Sequence, residues 1–341
     1  MTSTTDFHSP IPNTQHPAPK KILLLRFSSI GDIVLTTPVI RGLKKQLNAE
    51  VHYLTKASYL SILKYNPYID KIFTIQKKVS EVLPALKNEK YDVIVDLHKN
   101  LRTWQVRFGL GFPKTLTFDK INFEKWLMVN FKINRLPNIH IVDRYLKSVE
   151  SLDVKNDGQG LDYFLPPETI APKPGNYTVF AIGAAHATKR LPNDKILDIC
   201  QKIKTPIILI GGKDVAEEGE TIAQKAGAHV KNLCGKISLH DSARYLRDAQ
   251  KVITHDTGMM HIAAAFNKEI ISIWGNTIPE FGMYPYYNIG IQKNKTLEVK
   301  ELSCRPCSKI GFAECPKGHF KCMNKLEVSD EWLAVSPDTN L

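Results

Sequence analysis

The chain has 341 residues, of which 43% are hydrophobic, 23% charged and 9% aromatic, an ordinary globular composition at a length suited to about two domains. A disordered or fibrous protein is excluded. The net charge of +12 is uneven: residues 1–150 hold 23 Lys/Arg against 12 Asp/Glu, residues 151–341 hold 23 against 22, so the N-terminal half is suited to an anionic partner such as nucleic acid, a phosphorylated substrate or a membrane surface, a solvated basic surface being the plainer alternative.

Met1 to Lys20 is polar and proline-rich, with no apolar stretch to serve as a signal peptide, and no window reaches the roughly 18 apolar residues of a spanning helix. A cytoplasmic protein with a flexible tail is expected. Lys21–Phe27 is a short apolar run of the kind buried in a parallel sheet, and a helical pattern follows from Ser28 to about Leu47. The unit recurs: Val51–Leu54 before Ser58–Lys64, Lys71–Ile75 before Val79–Leu86, and Tyr91–Leu97 before Asn100–Phe108. Alternating strands and helices predict a parallel sheet covered on both faces.

Between Gly158 and Gly175 the periodicity lapses around Pro166, Pro167, Pro172 and Pro174, which reads as a linker. The pattern then restarts. Tyr177–Ile182, Pro206–Ile210, Lys251–Thr254 and Glu269–Trp274 are predicted strands, and Asp194–Ile203, Ala216–Ala226, Ser238–Asp248 and Gly258–Phe266 predicted helices. The expected organisation is a tail (1–20), an N-terminal Rossmann-like domain (21–157), a linker (158–175), a C-terminal Rossmann-like domain (176–328) and a second tail (329–341). Two α/β domains in succession leave a cleft between the carboxyl ends of their sheets, where open α/β folds bind ligands.

Three segments carry candidate chemistry. In Ser28-Ser29-Ile30-Gly31-Asp32, small residues between a buried strand and a helix aim backbone N–H groups and one carboxylate into a crevice. Asp32 falls in the first helical turn, where the macrodipole alone would favour it. No G-x-G-x-x-G is present, so a dinucleotide reading has little support. Thr254-His255-Asp256-Thr257-Gly258-Met259-Met260-His261 ends a strand and opens an apolar helix, which offers free N–H groups to a diphosphate. Asp-Thr-Gly is also the aspartic protease triplet, but that chemistry takes two carboxylates and this triplet occurs once. His261 is either a ligand contact or a satisfied helix-start histidine. In Ala181–Pro192, Thr188, Lys189 and Arg190 follow small residues after a strand, and Lys189 is suited to a phosphate whose charge grows as it leaves.

The six cysteines do not make a disulfide scaffold in a chain this long. Four of them, Cys304, Cys307, Cys315 and Cys322, cluster with His319 at the density of a small zinc site, although not in the paired C-x2-C spacing. Packing thiols or a local disulfide are the other readings. Cys200 and Cys234 read as buried thiols.

Arg26–Pro38 with Asp32, Lys189-Arg-Leu-Pro192, Gly211-Gly212 with Asp214, and Asp256-Thr-Gly-Met-Met-His261-Ile-Ala-Ala-Ala265, in this order, resemble glycosyltransferase family 9, the lipopolysaccharide heptosyltransferases. The resemblance covers about residues 20–328. It implies a GT-B fold, two Rossmann-like domains with parallel sheets facing a central cleft, the N-terminal one binding the acceptor and the C-terminal one the donor. It implies an inverting transfer of a heptose or related sugar from an ADP-linked donor to a phosphorylated glycolipid, the lipopolysaccharide core or lipid A, at the inner face of the inner membrane and without a metal cofactor.

By position, Asp32 matches the family's general base. Thr188 and Lys189 match residues near the donor phosphates, Thr257 and Gly258 the diphosphate-binding helix start, and Asp256 and His261 donor contacts; the ribose-binding acid falls near Glu217. Ser29, Gly31, His98, Lys99, Asn100 and Arg102 are acceptor-binding candidates. Leu191 stands where many members carry Trp. The alternatives are a GT-B enzyme with another nucleotide-sugar donor, or a noncatalytic basic protein that binds nucleic acid. The usual nucleic-acid signatures are absent, so no nucleic-acid partner is expected.

Overall fold

A computed structural model describes residues 20–167 and 175–333. The first expected tail up to residue 19, residues 168–174 of the expected linker, and residues from 334 onward lie outside the described residues.

The first sheet contains β1 (Lys21–Leu25), β2 (Glu50–Lys56), β3 (Lys71–Ile75), β4 (Val93–Asp96) and β5 (Lys114–Thr117). All pairings are parallel and the spatial order is β3-β2-β1-β4-β5. Its helices are α1 (Ile30–Val34), α2 (Thr37–Leu47), α3 (Leu60–Leu63), α4 (Leu83–Glu89), α5 (Leu101–Gly109), α6 (Asn122–Phe131) and α7 (Ile141–Val149). The second sheet contains β6 (Thr178–Ala181), β7 (Ile207–Ile210), β8 (Val230–Asn232), β9 (Lys251–His255), β10 (Glu269–Trp274) and β11 (Asn294–Glu298), again all parallel, in the order β11-β10-β9-β6-β7-β8. With it go α8 (Asn193–Lys202), α9 (Ala216–Ala226), α10 (Leu239–Asp248), α11 (Gly258–Ala265), α12 (Lys321–Asn324) and α13 (Asp330–Leu333). In both sheets the strand order reverses beside the first strand, so β1 and β4, and β6 and β9, flank the crevices in which doubly wound folds hold ligands.

The apolar runs become the central strands because both faces of each sheet are covered. Ile22, Leu23, Leu24 and Leu25 are fully buried, as are Val252, Ile270, Ile271 and Ile273. The expected helix from Ser28 to Leu47 is two helices: α1 ends at Leu35, and α2 restarts with Pro38 in its first turn, where a missing N–H costs nothing. Part of the expected C-terminal tail is folded, since α13 buries Leu333 and the carbonyl of Trp332 accepts Lys251 Nζ at 2.7 Å.

Named bonds tie the two lobes together. Ile141 N–H donates to Gly282 O at 2.8 Å, Arg144 Nη2 to Phe281 O at 3.1 Å, and Tyr286 Oη to Asp143 at 2.7 Å. Inside the first lobe, the buried guanidinium of Arg41 on α2 bonds Asp157 at 2.7 and 2.8 Å, Gly160 O at 2.9 Å, and Asp162. This clamps the start of the interlobe segment to the first domain.

Candidate active site

The site is assembled from two loop-to-helix turns, one from each sheet, that meet head on. β1 ends at Leu25 and the chain turns through Ser29 into α1, while β9 ends at His255 and turns through Thr257 into α11. The two helix starts touch: a methyl group on Gly31 would lie 2.6 Å from Cδ2 of His261, and one on Gly258 would lie 2.7 Å from Cγ2 of Ile30. Both glycines are therefore demanded by close approach. Gly31, expected among the acceptor-binding residues, is a close contact with the opposite lobe.

Asp32 sits in the first turn of α1. Its carboxylate pairs with Arg26 Nη2 at 2.6 Å and accepts from Ser29 Oγ at 2.8 Å and Ser29 N at 3.1 Å. Burial alone would raise its pKa, but the Arg26 guanidinium and the two Ser29 donors outweigh that and hold the carboxyl below its usual range. The group is an ionised carboxylate at neutral pH, with its side chain about one-fifth exposed to solvent. Arg26 is fixed in turn by Leu97 O at 2.5 Å and Tyr145 Oη at 3.1 Å.

Across the cleft, Thr257 caps α11 with extended backbone and makes no side-chain cap bond, so the first N–H groups of α11 remain available to an anion. Beside them, Lys189 Nζ pairs with Asp256 at 2.6 Å, and the same Asp256 oxygen accepts Thr277 Oγ1 at 2.9 Å. The three-residue tether holds Lys189 at the helix start.

His261 is 2% exposed, and its Nδ1 has no hydrogen-bond partner. Burial pushes its pKa down to about 4, against the pull of Asp256 and Asp32, so it is a neutral imidazole with an unspent polar atom. An orphaned buried nitrogen is costly, and here a ligand could satisfy it.

The other predicted residues divide between the cleft and the scaffold. Thr188 is buried with its hydroxyl spent on the backbone of Phe312, accepting from N at 2.8 Å and donating to O at 3.2 Å. It ties its loop to the cysteine-rich segment. Glu217 lies exposed in the first turn of α9, after the Gly211-Gly212 turn that closes β7. His98 is pushed down to about 4 by burial and by Arg26 and Lys120, its Nδ1 also lacks a partner, and its ring meets Phe27 edge-on at 5.7 Å. Lys99 is exposed and Arg102 lies on the open side of α5, while Asn100 is spent as the N-cap of that helix, accepting from Thr103 N at 3.1 Å.

Further residues at this site have no separate signal in the sequence: Arg26 stands inside the Asp32 motif, Thr277 only follows β10, and Lys120 and Lys125 lie in the region after β5. Burial lowers the pKa of Lys125 to about 8 with help from Arg144 and Lys309, Asp32 opposing. Lys125 lies over the Phe281 ring, 5.7 Å from its centre, and Lys120 Nζ donates to Lys99 O at 2.9 Å.

Two clusters lie outside this site. Glu50, His52 and Glu89 place their ligand atoms within 4.8 Å of one another, but Lys21 reaches both carboxylates, at 3.1 and 2.9 Å, and Lys71 bonds Glu89 at 2.5 Å. The donors are already neutralised, at the amino ends of the strands and away from the cleft. Cys304, Cys307, Cys315 and Cys322 are free thiols that line one small cavity with His319, where Cys304 Sγ lies 3.9 Å from His319 Nε2. Their ligand atoms do not converge as closely as those of the acidic trio.

Residues 79–316 match the family model for glycosyltransferase family 9 (heptosyltransferase); the match starts beyond the Asp32 turn. A lipopolysaccharide heptosyltransferase 1 of Campylobacter coli is 24% identical over 289 residues, 75% of this chain and 84% of that protein. Among solved structures, the ADP-heptose lps heptosyltransferase II of E. coli superimposes with a TM-score of 0.66 at 17% identity, covering 89% of this chain and 98% of the other. The E. coli heptosyltransferase WaaC with ADP superimposes with a TM-score of 0.62 at 19% identity, over 81% and 92%. The two parallel sheets are those of the GT-B fold, and the chain belongs to glycosyltransferase family 9, the heptosyltransferase family.

Proposed function

We propose that the enzyme transfers a heptose, or a related sugar, from an ADP-linked donor to a phosphorylated acceptor of the lipopolysaccharide core, with inversion, at the inner face of the inner membrane. The observation that carries this reading is the contact between α1 and α11, which sets the ionised Asp32 against the open helix start and Lys189 of the other lobe.

In this reading the donor diphosphate lies on the first N–H groups of α11 beside Lys189, and the sugar faces Asp32. The acceptor oxygen attacks the anomeric carbon as its proton passes to Asp32; the bond from that carbon to the phosphate oxygen breaks, and ADP leaves with the electron pair. One base and one displacement invert the centre without a covalent intermediate. Charge growing on the leaving diphosphate is met by the α11 dipole and by Lys189, which supply the cationic role that a metal ion plays in other transferases. Neutral His261 offers Nδ1 to the donor without adding charge. Lys120 and Lys125 suit the phosphates of the acceptor. The ADP-linked donor is supported by the relatives described with ADP-heptose or ADP.

The test is Asp32→Asn. It removes the base and leaves the phosphate cradle, so turnover of ADP-heptose should fall by about 10²–10⁴-fold while the ADP-induced thermal shift persists. Near-normal turnover by the variant refutes the assignment. A thermal shift with UDP or GDP and none with ADP would move the donor to another nucleotide sugar.

A further inference from the structure

Nine of the large apolar side chains exposed among the described residues lie between Leu101 and Ile139. On α5, Leu101, Trp104 and Phe108 follow one another at i, i+3 and i+7 and are 72%, 50% and 61% exposed, while Thr103 and Val106 face inward. Trp104 stacks on Phe108 with ring centres 5.4 Å apart, and Phe112 meets Phe108 edge-on at 5.8 Å. On α6, Phe123 stacks on Trp126 at 6.2 Å, and Phe131 meets Trp126 edge-on at 5.1 Å. No residue of α6 is fully buried. Rings that pack only on each other at the surface form an apolar face of the kind that marks an interaction site.

The chemistry around these rings selects the partner. Residues 99–135 contain eight Lys/Arg and two Asp/Glu, a net +6 that is half of the whole chain's excess, and Arg102, Lys114, Lys132 and Arg135 are exposed. Tryptophan and phenylalanine flanked by cations on short helices are what an anionic bilayer surface takes up, the rings entering the boundary between headgroups and chains and the cations meeting lipid phosphate. Neither helix can cross a membrane: no helix among the described residues is long and apolar enough. The two helices are also neighbours. They follow the paired strands β4 and β5, and Lys120 Nζ donates to Lys99 O at 2.9 Å between the loops that lead into them.

We propose that the outer faces of α5 and α6 are a docking surface for an anionic phospholipid bilayer. The inference rests on the reading of the acceptor as a membrane-borne glycolipid, and it gives that reading a place on the protein. α5 begins three residues after His98, and Lys125 of α6 lies over the Phe281 ring, 5.7 Å from its centre. The docked surface therefore borders the cleft that holds Asp32, and an acceptor anchored in the bilayer can present its sugar to the site without leaving the membrane.

The full-length protein is sedimented with vesicles of phosphatidylcholine alone and of phosphatidylcholine mixed with phosphatidylglycerol, at low and high salt. It should bind the mixed vesicles, bind them less at high salt, and ignore the neutral ones. Trp104→Ser with Phe108→Ser, and separately Trp126→Ser, should each weaken binding by about tenfold or more. Arg135→Glu, at an exposed cation with no ion pair among the described residues, should weaken it by about fivefold. All three variants should keep the urea midpoint and the ADP-induced thermal shift.

The proposal is overturned if the native protein stays in solution with the mixed vesicles, or if the aromatic variants bind as it does. It is also overturned if sedimentation velocity shows a dimer that the aromatic substitutions dissociate, which would give the face to a second copy, or if the face retains RNA and no vesicles. Vesicle binding needs no turnover, and turnover on a delipidated acceptor needs no vesicle. The failure of either reading is thus seen separately.

Discussion

The pairing of Arg26 with Asp32 sets both the ionisation and the aim of the proposed base. Burial works against the carboxylate, and the guanidinium 2.6 Å away overrides it. Arg26→Gln removes that charge and keeps a hydrogen-bonding side chain of similar reach. The Asp32 pKa should then rise, so the acidic limb of the kcat/KM profile should move to higher pH, with the basic limb unchanged. An unmoved acidic limb would show that Asp32 is not the group that titrates there. The same substitution breaks a largely buried ion pair, and a loss of about 3 kcal/mol in stability should be measured by urea unfolding at neutral pH. At this scale the sequence was only partly legible. Asp32 and His261 stand in motifs that flank glycine turns, and their neighbours could be read from spacing. Thr277 reaches Asp256 only through the register of β10 against β9, and Thr188 reads as a phosphate contact until Phe312, far along the chain, is seen to occupy its hydroxyl. Contacts between residues distant in sequence leave no local pattern.

At the scale of elements, the meeting of α1 and α11 determines how closely the proposed base and the proposed phosphate cradle can approach. Gly31→Ala would place a methyl 2.6 Å from the His261 ring, and the ring is buried in the C-terminal lobe. α1 must move outward, carrying Asp32 with it. Displacement of a catalytic group by about 1 Å costs roughly 10²-fold in rate, so kcat should fall by about that factor while the ADP-induced thermal shift is retained. An alanine variant with native kcat would mean that the two turns are not held in register during the reaction. The strands that frame this contact were legible because they are central: β1 lies within the predicted Lys21–Phe27, and β9 runs one residue past the predicted Lys251–Thr254. The missed strands, β5, β8 and β11, are Lys-Thr-Leu-Thr, Val-Lys-Asn and Asn-Lys-Thr-Leu-Glu, and each lies at a sheet edge. An edge strand has a solvated side and needs no apolar run, so its sequence resembles a loop. α6 was missed for a related reason: its rings face outward, and its pattern lacks a buried stripe.

For the whole molecule, the buried histidines make stability depend on pH in a direction that can be worked out. His140, His255 and His261 are each 2% exposed or less, and burial pushes their pKa values down to about 3, 4 and 4. They occupy different parts of the structure. His140 bridges the lobes through Tyr284 O at 2.9 Å, His255 accepts from Leu191 N at 2.9 Å, and His261 lies at the α1 contact. In the unfolded chain a histidine takes up its proton near pH 6.5, whereas in the folded protein these three remain neutral until about pH 4 or below. Between those limits the unfolded state binds more protons, so stability rises with pH through this window and is fully present above it. Lowering the pH from 7.5 to 5 should cost roughly 2 kcal/mol for each of the three. Asp32 contributes with the same sign but only nearer pH 4, because its folded pKa lies below the ordinary carboxylate value. The urea midpoint should therefore fall steeply between pH 7 and 5, a range in which carboxylates barely titrate. His140→Gln, which keeps a donor for Tyr284 O and cannot take up a proton, should flatten that fall by about one quarter, since His98, whose pKa is likewise pushed down to about 4, adds a fourth comparable contribution. An unchanged slope in the variant would mean that the interlobe histidine is already free to protonate in the folded enzyme, and that the lobes part there before the chain unfolds.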